Sequence, residues 1–298
     1  DLSGVNIDLR VYKTGGSPAQ ASALAKQAVD EGAQVILGPF YSEEANAAGV
    51  AVANSGVNVL AFSNNAAIAG GNVFVLGQTF DNTARRLATY AVRNGKSKIL
   101  IVHDRNVAGE VGKSAIERGV SAAGGSVVGV TSYEFSQNGI VQAATGIVGT
   151  ARSSGATALF LTADTAGALP LLSQLLVDNG IDRASTQFIG LTRWDIPPAT
   201  LALPGVQGGW FALPDPGLHA QFQSRYMAAY GSQPAAVAGL AYDGIAAIGA
   251  LARSSNGAPI SREALTQSAG FAGVSGIFRL LPNGTNERGL AITTIRSV

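Results

Sequence analysis

The chain alternates short, unbroken apolar runs with longer segments of helical periodicity, almost from end to end. Strands of a parallel sheet are covered on both faces, so they are typically continuous in apolar residues. Short strands separated by helices predict parallel sheets with right-handed crossovers. The predicted strands are IDLRVY (7–12), QVILG (34–38), VNVLAF (57–62), VFVLG (73–77), SKILIVH (97–103), SVVGVTSY (126–133), ALFLT (158–162), TQFIGL (186–191) and GGWFAL (208–213).

The predicted helices lie between these strands. In residues 18–32, apolar side chains from Ala21 to Val29 recur with the spacing of one helical face, and Gly32 ends the pattern. The same spacing predicts helices at about 81–94, 109–123, 139–154, 167–179, 217–230 and 235–253.

The end of the chain follows a different pattern. Residues 276–295 (GIFRLLPNGTNERGLAITTI) predict two strands around a Pro-Asn-Gly turn. About nine sheet strands and this hairpin are many for one compact sheet. The sequence therefore predicts two α/β lobes, and sheets of this kind bind ligands beyond the carboxyl ends of their strands.

Composition excludes several classes of protein. A net charge of +1 argues against a nucleic-acid partner, which requires a basic face. No apolar run is long enough to span a membrane, and no leader pattern is visible in the opening DLSGVNIDL, which resembles the interior of a longer protein. Cysteine is absent, so thiol catalysis, thiolate metal sites and disulfides are excluded. With only His103 and His219, no zinc-binding spacing occurs.

Motifs of nucleotide-binding proteins and hydrolases are missing. VAGEVGKS (107–114) resembles a phosphate loop, but Val107 stands where the first glycine must be. Neither Gly-x-Ser-x-Gly nor Gly-x-Gly-x-x-Gly after a strand is present. His103-Asp104 at a strand end lacks a neighbouring nucleophile, so we expect His103 at a lobe surface and Asp104 as a cap of the next turn. We predict a non-enzymatic protein without a cofactor or metal.

Polar residues follow the predicted strands at their carboxyl ends. In VILGPFYSEE (35–44), Gly38-Pro39 ends a strand and Ser42 is placed as the N-cap of a helix. Such a cap and an anion site are compatible, because a helix N-terminus binds anions. The other polar clusters at strand ends are Ser63, Asn64 and Asn65; Asp104, Arg105 and Asn106; Asp164 and Thr165; and Arg193, Trp194 and Asp195.

Many moderate signals along the chain resemble one family. They include VILGPFYS, GVNVLAFSNN, VFVLGQTFDNTARRLATYAVRNGKSKILIVHD, ALFLTAD, GIDRASTQFIGL, GGWFALPDP, FQSRYMAAYG and AYDGIAAI. Their order is similar to that of type I periplasmic solute-binding proteins, nearest to the leucine/isoleucine/valine-binding branch. This resemblance implies an α/β fold of two Rossmann-like lobes, joined by three crossovers, with a ligand cleft between them.

The resemblance also implies lobe boundaries. Lobe one would comprise residues 1–78 and 216–276, and lobe two residues 79–215 and 277–298. Family members usually have one more strand–helix unit before the segment that matches IDLRVYKTGG. The implied location is the bacterial periplasm, with a lipid anchor in a preceding segment as one alternative.

Similarity to amino-acid binders implies roles for individual residues. The ligand carboxylate would lie on Ser42 and on the Asn64-Asn65 backbone, and Asp164, assisted by Thr165, would bind the ammonium. Trp194 would cover the side chain. The predicted ligand-binding set is Tyr41, Ser42, Ser63, Asn64, Asn65, Ala108, Asp164, Thr165, Arg193 and Trp194.

Two positions depart from the family pattern. Amino-acid binders of this branch often have an aromatic residue where this chain has Ala108, so the cleft loses one wall. Arg193 could pair with Asp164 and neutralise its charge. The partners implied are a small amino-acid-like ligand and the permease of an ABC transporter.

A second resemblance leaves an alternative open. VNVLAFSNN, VFVLGQTFDNTARRLATYA, the pair Gly124-Gly125 and GGWFALPDP are similar to the C-terminal domain of penicillin-binding-protein activators. Those lipoproteins share the fold, and the implied function is regulation of peptidoglycan synthesis through a penicillin-binding protein. A shared fold does not fix function.

Overall fold

The computed structural model describes residues 5–235, 237–255 and 258–296 and consists of two compact units. The first unit comprises Asp1–Thr79 and Pro214–Gly289, and the second comprises Phe80–Leu213 and Leu290–Val298. The backbone therefore passes between the units three times, after Thr79, after Leu213 and after Gly289. We call these the first, second and third crossings.

Helices and strands alternate through most of the chain. The α-helices are α1 (Pro18–Asp30), α2 (Ser42–Ala51), α3 (Phe80–Arg93), α4 (Val107–Ala122), α5 (Gln137–Ser154), α6 (Leu169–Asp178), α7 (Pro216–Tyr230), α8 (Ala238–Ser255) and α9 (Arg262–Leu265). The strands are β1 (Val35–Leu37), β2 (Asn58–Ala61), β3 (Val73–Val75), β4 (Lys98–Asp104), β5 (Ser126–Tyr133), β6 (Ala158–Leu161), β7 (Gln187–Gly190), β8 (Trp210–Leu213), β9 (Phe271–Gly273), β10 (Gly276–Leu280), β11 (Asn286–Arg288) and β12 (Ala291–Thr294).

The second unit contains a six-stranded sheet in the order β12-β8-β7-β6-β4-β5, parallel except for β12. Successive residues of a strand point to opposite faces. Accordingly, Ile99 and Ile101 of β4 join one buried cluster with α3 and α4, whereas Leu100 and Val102 join another with α5 and α6. Burial on both faces explains the unbroken apolar runs and confirms the predicted α/β class with a parallel sheet.

The first unit contains two small sheets. One is parallel, in the order β1-β2-β3, and the other is antiparallel, in the order β11-β10-β9. A core of apolar residues from β2, β3 and α8 also includes Phe271 and Phe278 of the antiparallel sheet. The antiparallel sheet is therefore part of the same hydrophobic core as the parallel one.

The predicted hairpin is present, but its second half is divided. β10 pairs with β11 around a turn at Asn283-Gly284, and β12 pairs instead with β8 of the second unit. Residues 277–289 consequently belong to the first unit, whereas the sequence placed them in lobe two. Pairing of β10 with β9 and hydrogen bonds from Asn286 to the carbonyls of Val75 and Gly77 hold them there.

The predicted strand at residues 7–12 is wrong. The segment forms no strand in the structure, and Leu9 and Val11 are 66% and 82% exposed. Residues 7–12 belong to none of the described sheets, and among the described strands β1 pairs only with β2. Arg10 and Tyr12 bind Glu31 through their side chains instead. Propensity without a neighbouring strand does not produce a sheet.

Across the part of the chain that the structure describes, no helix is both long and apolar enough to cross a membrane.

Candidate functional site

Strand β1 of the first unit ends at a sharp turn. Gly38 has φ 97°, a conformation that favours glycine, and the Gly38–Pro39 peptide is cis. The turn remains paired with the next strand, because Gly38 N–H donates to Leu60 O at 2.8 Å and Phe62 N–H donates to Pro39 O at 2.9 Å. The chain therefore reaches α2 at the carboxyl end of the sheet, as the sequence predicts.

The start of α2 differs from the prediction for Ser42. Tyr41 occupies the N-cap position without a capping side-chain bond, and Ser42 is the first helical residue. The Ser42 hydroxyl donates to the neighbouring Glu43 carboxylate at 3.1 Å, and Ser42 is not the cap because it already lies inside the helix. The first amides of a helix lack intrahelical partners. Since the Tyr41 side chain does not cap them, we expect these amides to be available to an anionic group.

Ser63, Asn64 and Asn65 follow β2 at the same edge of the sheet. Ser63 Oγ accepts from Asn65 N–H at 3.1 Å, and Asn65 Oδ1 accepts from Ala67 N–H at 3.0 Å. These two side chains stabilise the loop and a 3-10 turn over Ala66–Ile68. Asn64 and Asn65 are both exposed, but Asn65 Oδ1 is engaged by Ala67 N–H, so Asn64 is the better candidate of the two for contact with a ligand.

The carboxyl end of β4 in the second unit contains a buried carboxylate. Asp104 Oδ1 accepts from Tyr133 Oη at 2.9 Å and from Thr162 Oγ1 at 2.6 Å. Asn106, not Asp104, caps α4, since its Oδ1 accepts from Gly109 N–H at 2.7 Å. The predicted capping role of Asp104 is therefore wrong. Its carboxylate joins the ends of β4, β5 and β6.

The sequence did not single out Tyr133 and Thr162. Both are polar residues at the ends of predicted strands, which is the signal that could have found them. Burial, reinforced by the Asp104 charge, raises the pKa of the Tyr133 phenol well above its usual value. The network positions the strand ends but is too buried to bind a ligand directly.

The first turn of α4 contains Ala108, which is exposed. A Cβ on the next residue, Gly109, would lie 2.1 Å from Asp104 O, so only glycine fits between the strand end and the helix. His103 is buried at 5% exposure, and its Nδ1 lies 3.0 Å from Asp104 O. The expectation that His103 lies at a lobe surface is wrong.

Asp164 follows β6 and is exposed. Among the residues that the structure describes, no hydrogen bond or ion pair involves its carboxylate. Thr165 donates its hydroxyl to Ile196 O, which holds the following loop. A Cβ on Gly167 would lie 2.7 Å from Asp164 Oδ1 and 2.8 Å from Phe135 Cε2. Asp164 and Phe135 are therefore close neighbours.

Phe135 is a candidate that sequence reasoning missed. The side chain is 56% exposed and lies just beyond β5, at the same sheet edge as Asp164. The sequence put the loss of an aromatic wall at Ala108. Phe135 supplies an exposed ring from a different loop, and its position directly after a strand is the signal that could have found it.

The Arg193 side chain pairs within its own loop. Its Nε and Nη2 donate to the two carboxylate oxygens of Asp195 at 2.6 and 2.5 Å. Partial burial opposes ionisation of Asp195, but Arg193 outweighs it and keeps the pKa of that carboxyl below its usual value. The suggested pairing of Arg193 with Asp164 is therefore wrong.

Trp194 cannot cover a ligand, because it is completely buried in the core of the second unit. A Cβ on Gly190 would lie 2.2 Å from its ring, and one on Gly209 would lie 2.5 Å from it. Because both positions are glycine, there is space for the indole ring between them. The predicted role of Trp194 is wrong because the ring packs inward under its loop.

The outcome for the ten candidates is thus mixed. Tyr41, Ser42 and Asn64 lie together at one sheet edge of the first unit, and Ala108 and Asp164 lie at one sheet edge of the second. No group of three or more His, Asp or Glu side chains that could hold a metal occurs within the described ranges. The groups left for a ligand are helix amides and an amide side chain in one unit, and a carboxylate beside a phenyl ring in the other.

Comparison with solved structures identifies the fold. A Rhodospirillum rubrum protein assigned to branched-chain amino acid ABC transport matches with a TM-score of 0.80 and 21% identity, over 98% of this chain and 86% of that chain. A Desulfitobacterium hafniense ABC transporter substrate-binding protein in complex with Leu matches with a TM-score of 0.69 and 18% identity, over 97% and 86%. At these identities the likeness shows the fold alone.

A third neighbour was solved with a different ligand. A solute-binding protein of an ABC transporter from Rhodopseudomonas palustris, in complex with 3,4-dihydroxybenzoic acid, matches with a TM-score of 0.61 and 16% identity, over 98% of this chain and 83% of that chain. No curated protein sequence matches this chain.

The sequence model of one family, described as periplasmic binding protein, matches residues 1–297. The family and these structural neighbours are non-enzymatic solute-binding proteins of the ABC-transporter type, and membership implies a periplasmic location. The chain therefore belongs to the periplasmic binding protein family.

Proposed function

We propose that this protein binds an amino acid or a related small zwitterion, closes its two units over it, and delivers it to the permease of an ABC transporter. The observation that carries the proposal is the Asp164 carboxylate, which is exposed and has no partner among the described residues. A charge without an internal partner at a strand end is suited to a ligand of opposite charge.

The first unit would bind the ligand carboxylate. The uncapped amides at the start of α2 and the exposed Asn64 lie beyond neighbouring strands of one parallel sheet. A helix N-terminus attracts anions through its free N–H groups and its dipole. Glu43 and Glu44 in the first turn add negative charge, so we expect amide hydrogen bonds to contribute more than net charge.

The second unit would bind the ligand ammonium at Asp164. Arg193 pairs instead with Asp195, through Nε and Nη2 to the two carboxylate oxygens. The side chain of the ligand would pack on Phe135, since Trp194 is buried. Neighbours that were solved with Leu and with 3,4-dihydroxybenzoic acid support a small carboxylic acid as the ligand.

Closure would follow from contact with both units. A ligand shifts an open–closed equilibrium only by its difference in affinity for the two states. A zwitterion whose two charges bind different units stabilises the closed state specifically.

Thermal unfolding with a panel of amino acids and small carboxylic acids tests this function. A ligand present at 100 times its Kd stabilises the folded protein by about 2.7 kcal/mol, which is readily measured. Zwitterions should raise the Tm more than their decarboxylated or deaminated analogues. Absence of a shift across the panel would contradict the proposal, and retention by a penicillin-binding protein would then favour the regulatory alternative.

A further inference from the structure

A buried ion pair lies in the first unit. Asp243 of α8 is 0% exposed, and the side chain of Arg288 at the end of β11 is 4% exposed. Arg288 Nη1 donates to Asp243 Oδ2 at 3.1 Å. Placing two charges in a core is costly, and apolar residues of similar volume often give equal or greater stability. Stability alone therefore gives little reason for the pair.

Arg288 connects two of the crossings. Its Nε and Nη2 donate to Leu76 O at 3.0 and 2.5 Å. Leu76 lies three residues before Thr79, after which the first crossing begins. Arg288 directly precedes Gly289, after which the third crossing begins. The guanidinium also lies 4.9 Å from the centre of the Phe278 ring, which restricts its orientation. One side chain thus fixes two backbone segments close to the points where they leave the unit.

Asp243 extends the connection to the second crossing. Its Oδ1 accepts from Val274 N–H at 2.7 Å. The carbonyl of the next residue, Ser275, accepts a hydrogen bond from Asp215 N–H at 3.3 Å. Asp215 directly follows Pro214, the first residue after the second crossing. A Cβ on Gly273 would lie 2.1 Å from Asp243 Oδ1, so the strand approaches the carboxylate as closely as glycine allows.

We propose that the Asp243–Arg288 pair is a positioning device that holds the three crossings in fixed register on the first unit, and so sets how readily the two units open and close. An apolar pair could fill the same volume. It could not make directional bonds to Leu76 O and Val274 N–H, because those bonds require the planar fork of arginine and the two oxygens of aspartate. This inference rests on the hinge motion of the proposed function.

Because the chain contains no cysteine, opening and closing of the two units can be measured with spin labels on introduced cysteines, without a ligand. Val50 of α2 and Val141 of α5 are 71% and 50% exposed and belong to different units. Cysteines at these two positions would be the only thiols in the chain and can be spin-labelled. Pulsed electron paramagnetic resonance on the full chain then gives the distribution of distances between the units.

The informative variant replaces both charges, as Asp243→Leu with Arg288→Met. Each single substitution should lower the Tm strongly, because it leaves one buried charge unpaired. The double variant should recover most of that loss, yet its distance distribution should be at least twice as wide as that of the unsubstituted protein. Any ligand found in the panel should dissociate from the double variant at least tenfold faster than from the unsubstituted protein.

A matched control lies on the same hairpin. Arg279 and Glu287 form a cross-strand ion pair, with side chains 46% and 20% exposed. The double variant Arg279→Met with Glu287→Leu should leave the distance distribution unchanged, because this pair joins the two strands of the hairpin at a more exposed position.

Two outcomes would overturn the proposal. One is a folded Asp243→Leu/Arg288→Met variant with the distance distribution of the parent. The other applies if that variant does not fold, in which case Arg288→Lys is measured instead. This variant keeps the charge but loses the guanidinium fork, so its distance distribution should still be wider than that of the parent. A distribution equal to that of the parent would contradict the positioning role. Because the distances are measured without ligand, failure of the ligand panel would contradict the proposed function and leave this test standing.

Discussion

Asp104 accepts a 2.6 Å hydrogen bond from the hydroxyl of Thr162, across the carboxyl ends of β4 and β6. Both side chains are buried at 8% exposure. Since the residues just beyond these strands form the second unit's half of the proposed site, the bond fixes the geometry from which Asp164 projects. It is a structural contact, and its loss should act mainly on stability.

Replacement of Thr162 by valine should lower the free energy of unfolding by about 2 kcal/mol, because it removes a buried hydrogen bond to a charged acceptor. Urea denaturation measures the change. Thr145 also donates a hydroxyl bond, to Asn179 at 3.1 Å, but it is exposed. Thr145→Val should therefore change stability by less than about 0.5 kcal/mol, and equal effects of the two variants would contradict this account.

The buried phenol of Tyr133 should make the stability of the protein depend on pH under alkaline conditions. Burial and Asp104 raise the pKa of its phenol in the folded state above the usual value of 10.0. In the unfolded chain the phenol ionises near its usual pKa, so the unfolded state binds fewer protons above that pH. This contribution to stability is complete below about pH 10 and falls as the pH rises further.

Tyr133→Phe should remove that part of the alkaline loss, although it also lowers stability at neutral pH by deleting the bond to Asp104. Thermal unfolding of both proteins from pH 8 to 11 gives the two profiles. The difference in Tm between parent and variant should shrink as the pH rises. A difference that stays constant or grows would show that the phenol is not held neutral in the folded state.

The glycine beneath Trp194 provides a packing test. Gly190→Ala would place a methyl group 2.2 Å from the indole and should destabilise the protein by about 1–3 kcal/mol, because the fully buried ring must move. Gly146 in the middle of α5 has no heavy atom within 4 Å of its added Cβ. Gly146→Ala should instead stabilise the helix by about 0.5–1 kcal/mol. The opposite sign for either substitution in urea denaturation would contradict the packing described.

Phe135 and Trp194 should separate ligand contact from core packing. Phe135→Ala should weaken ligand binding about tenfold with little effect on the Tm, because the ring is exposed beside Asp164. Trp194→Ala should destabilise the protein by about 3–5 kcal/mol through loss of a buried aromatic side chain. Calorimetric titration and thermal unfolding on both variants give the comparison. The assignment of Phe135 would fail if its removal changed stability but not affinity.

Local pattern predicted most of the fold because the strands of the second unit are buried on both faces. Runs such as KILIVHD and ALFL read as strands from composition alone. IDLRVY has the same propensity but no described partner strand, and a window of sequence contains no information about partners. The division of the last hairpin between two units was equally invisible, because it depends on bonds from Asn286 to residues about 210 positions earlier.

The site was less predictable than the fold, because side-chain orientation is a tertiary property. Trp194 and Arg193 are adjacent in sequence, yet one enters the core and the other pairs with Asp195. Ser42 resembles an N-cap, but the helix begins at Ser42 itself and Tyr41 occupies the cap position. The positions of Phe135 and Tyr133 at the end of a predicted strand were a signal in the sequence, but their neighbours Asp164 and Asp104 lie at or beyond the ends of other strands and are brought to them only by the sheet.

The central claim is that the Asp164 carboxylate binds the cationic group of a small zwitterion. Isothermal titration of the parent protein, Asp164→Asn and the control Asp178→Asn on α6, with the ligand that gives the largest thermal shift, tests it most directly. Asp164→Asn should weaken binding at least 100-fold while Asp178→Asn binds like the parent. Equal affinities for the parent and Asp164→Asn would contradict the claim.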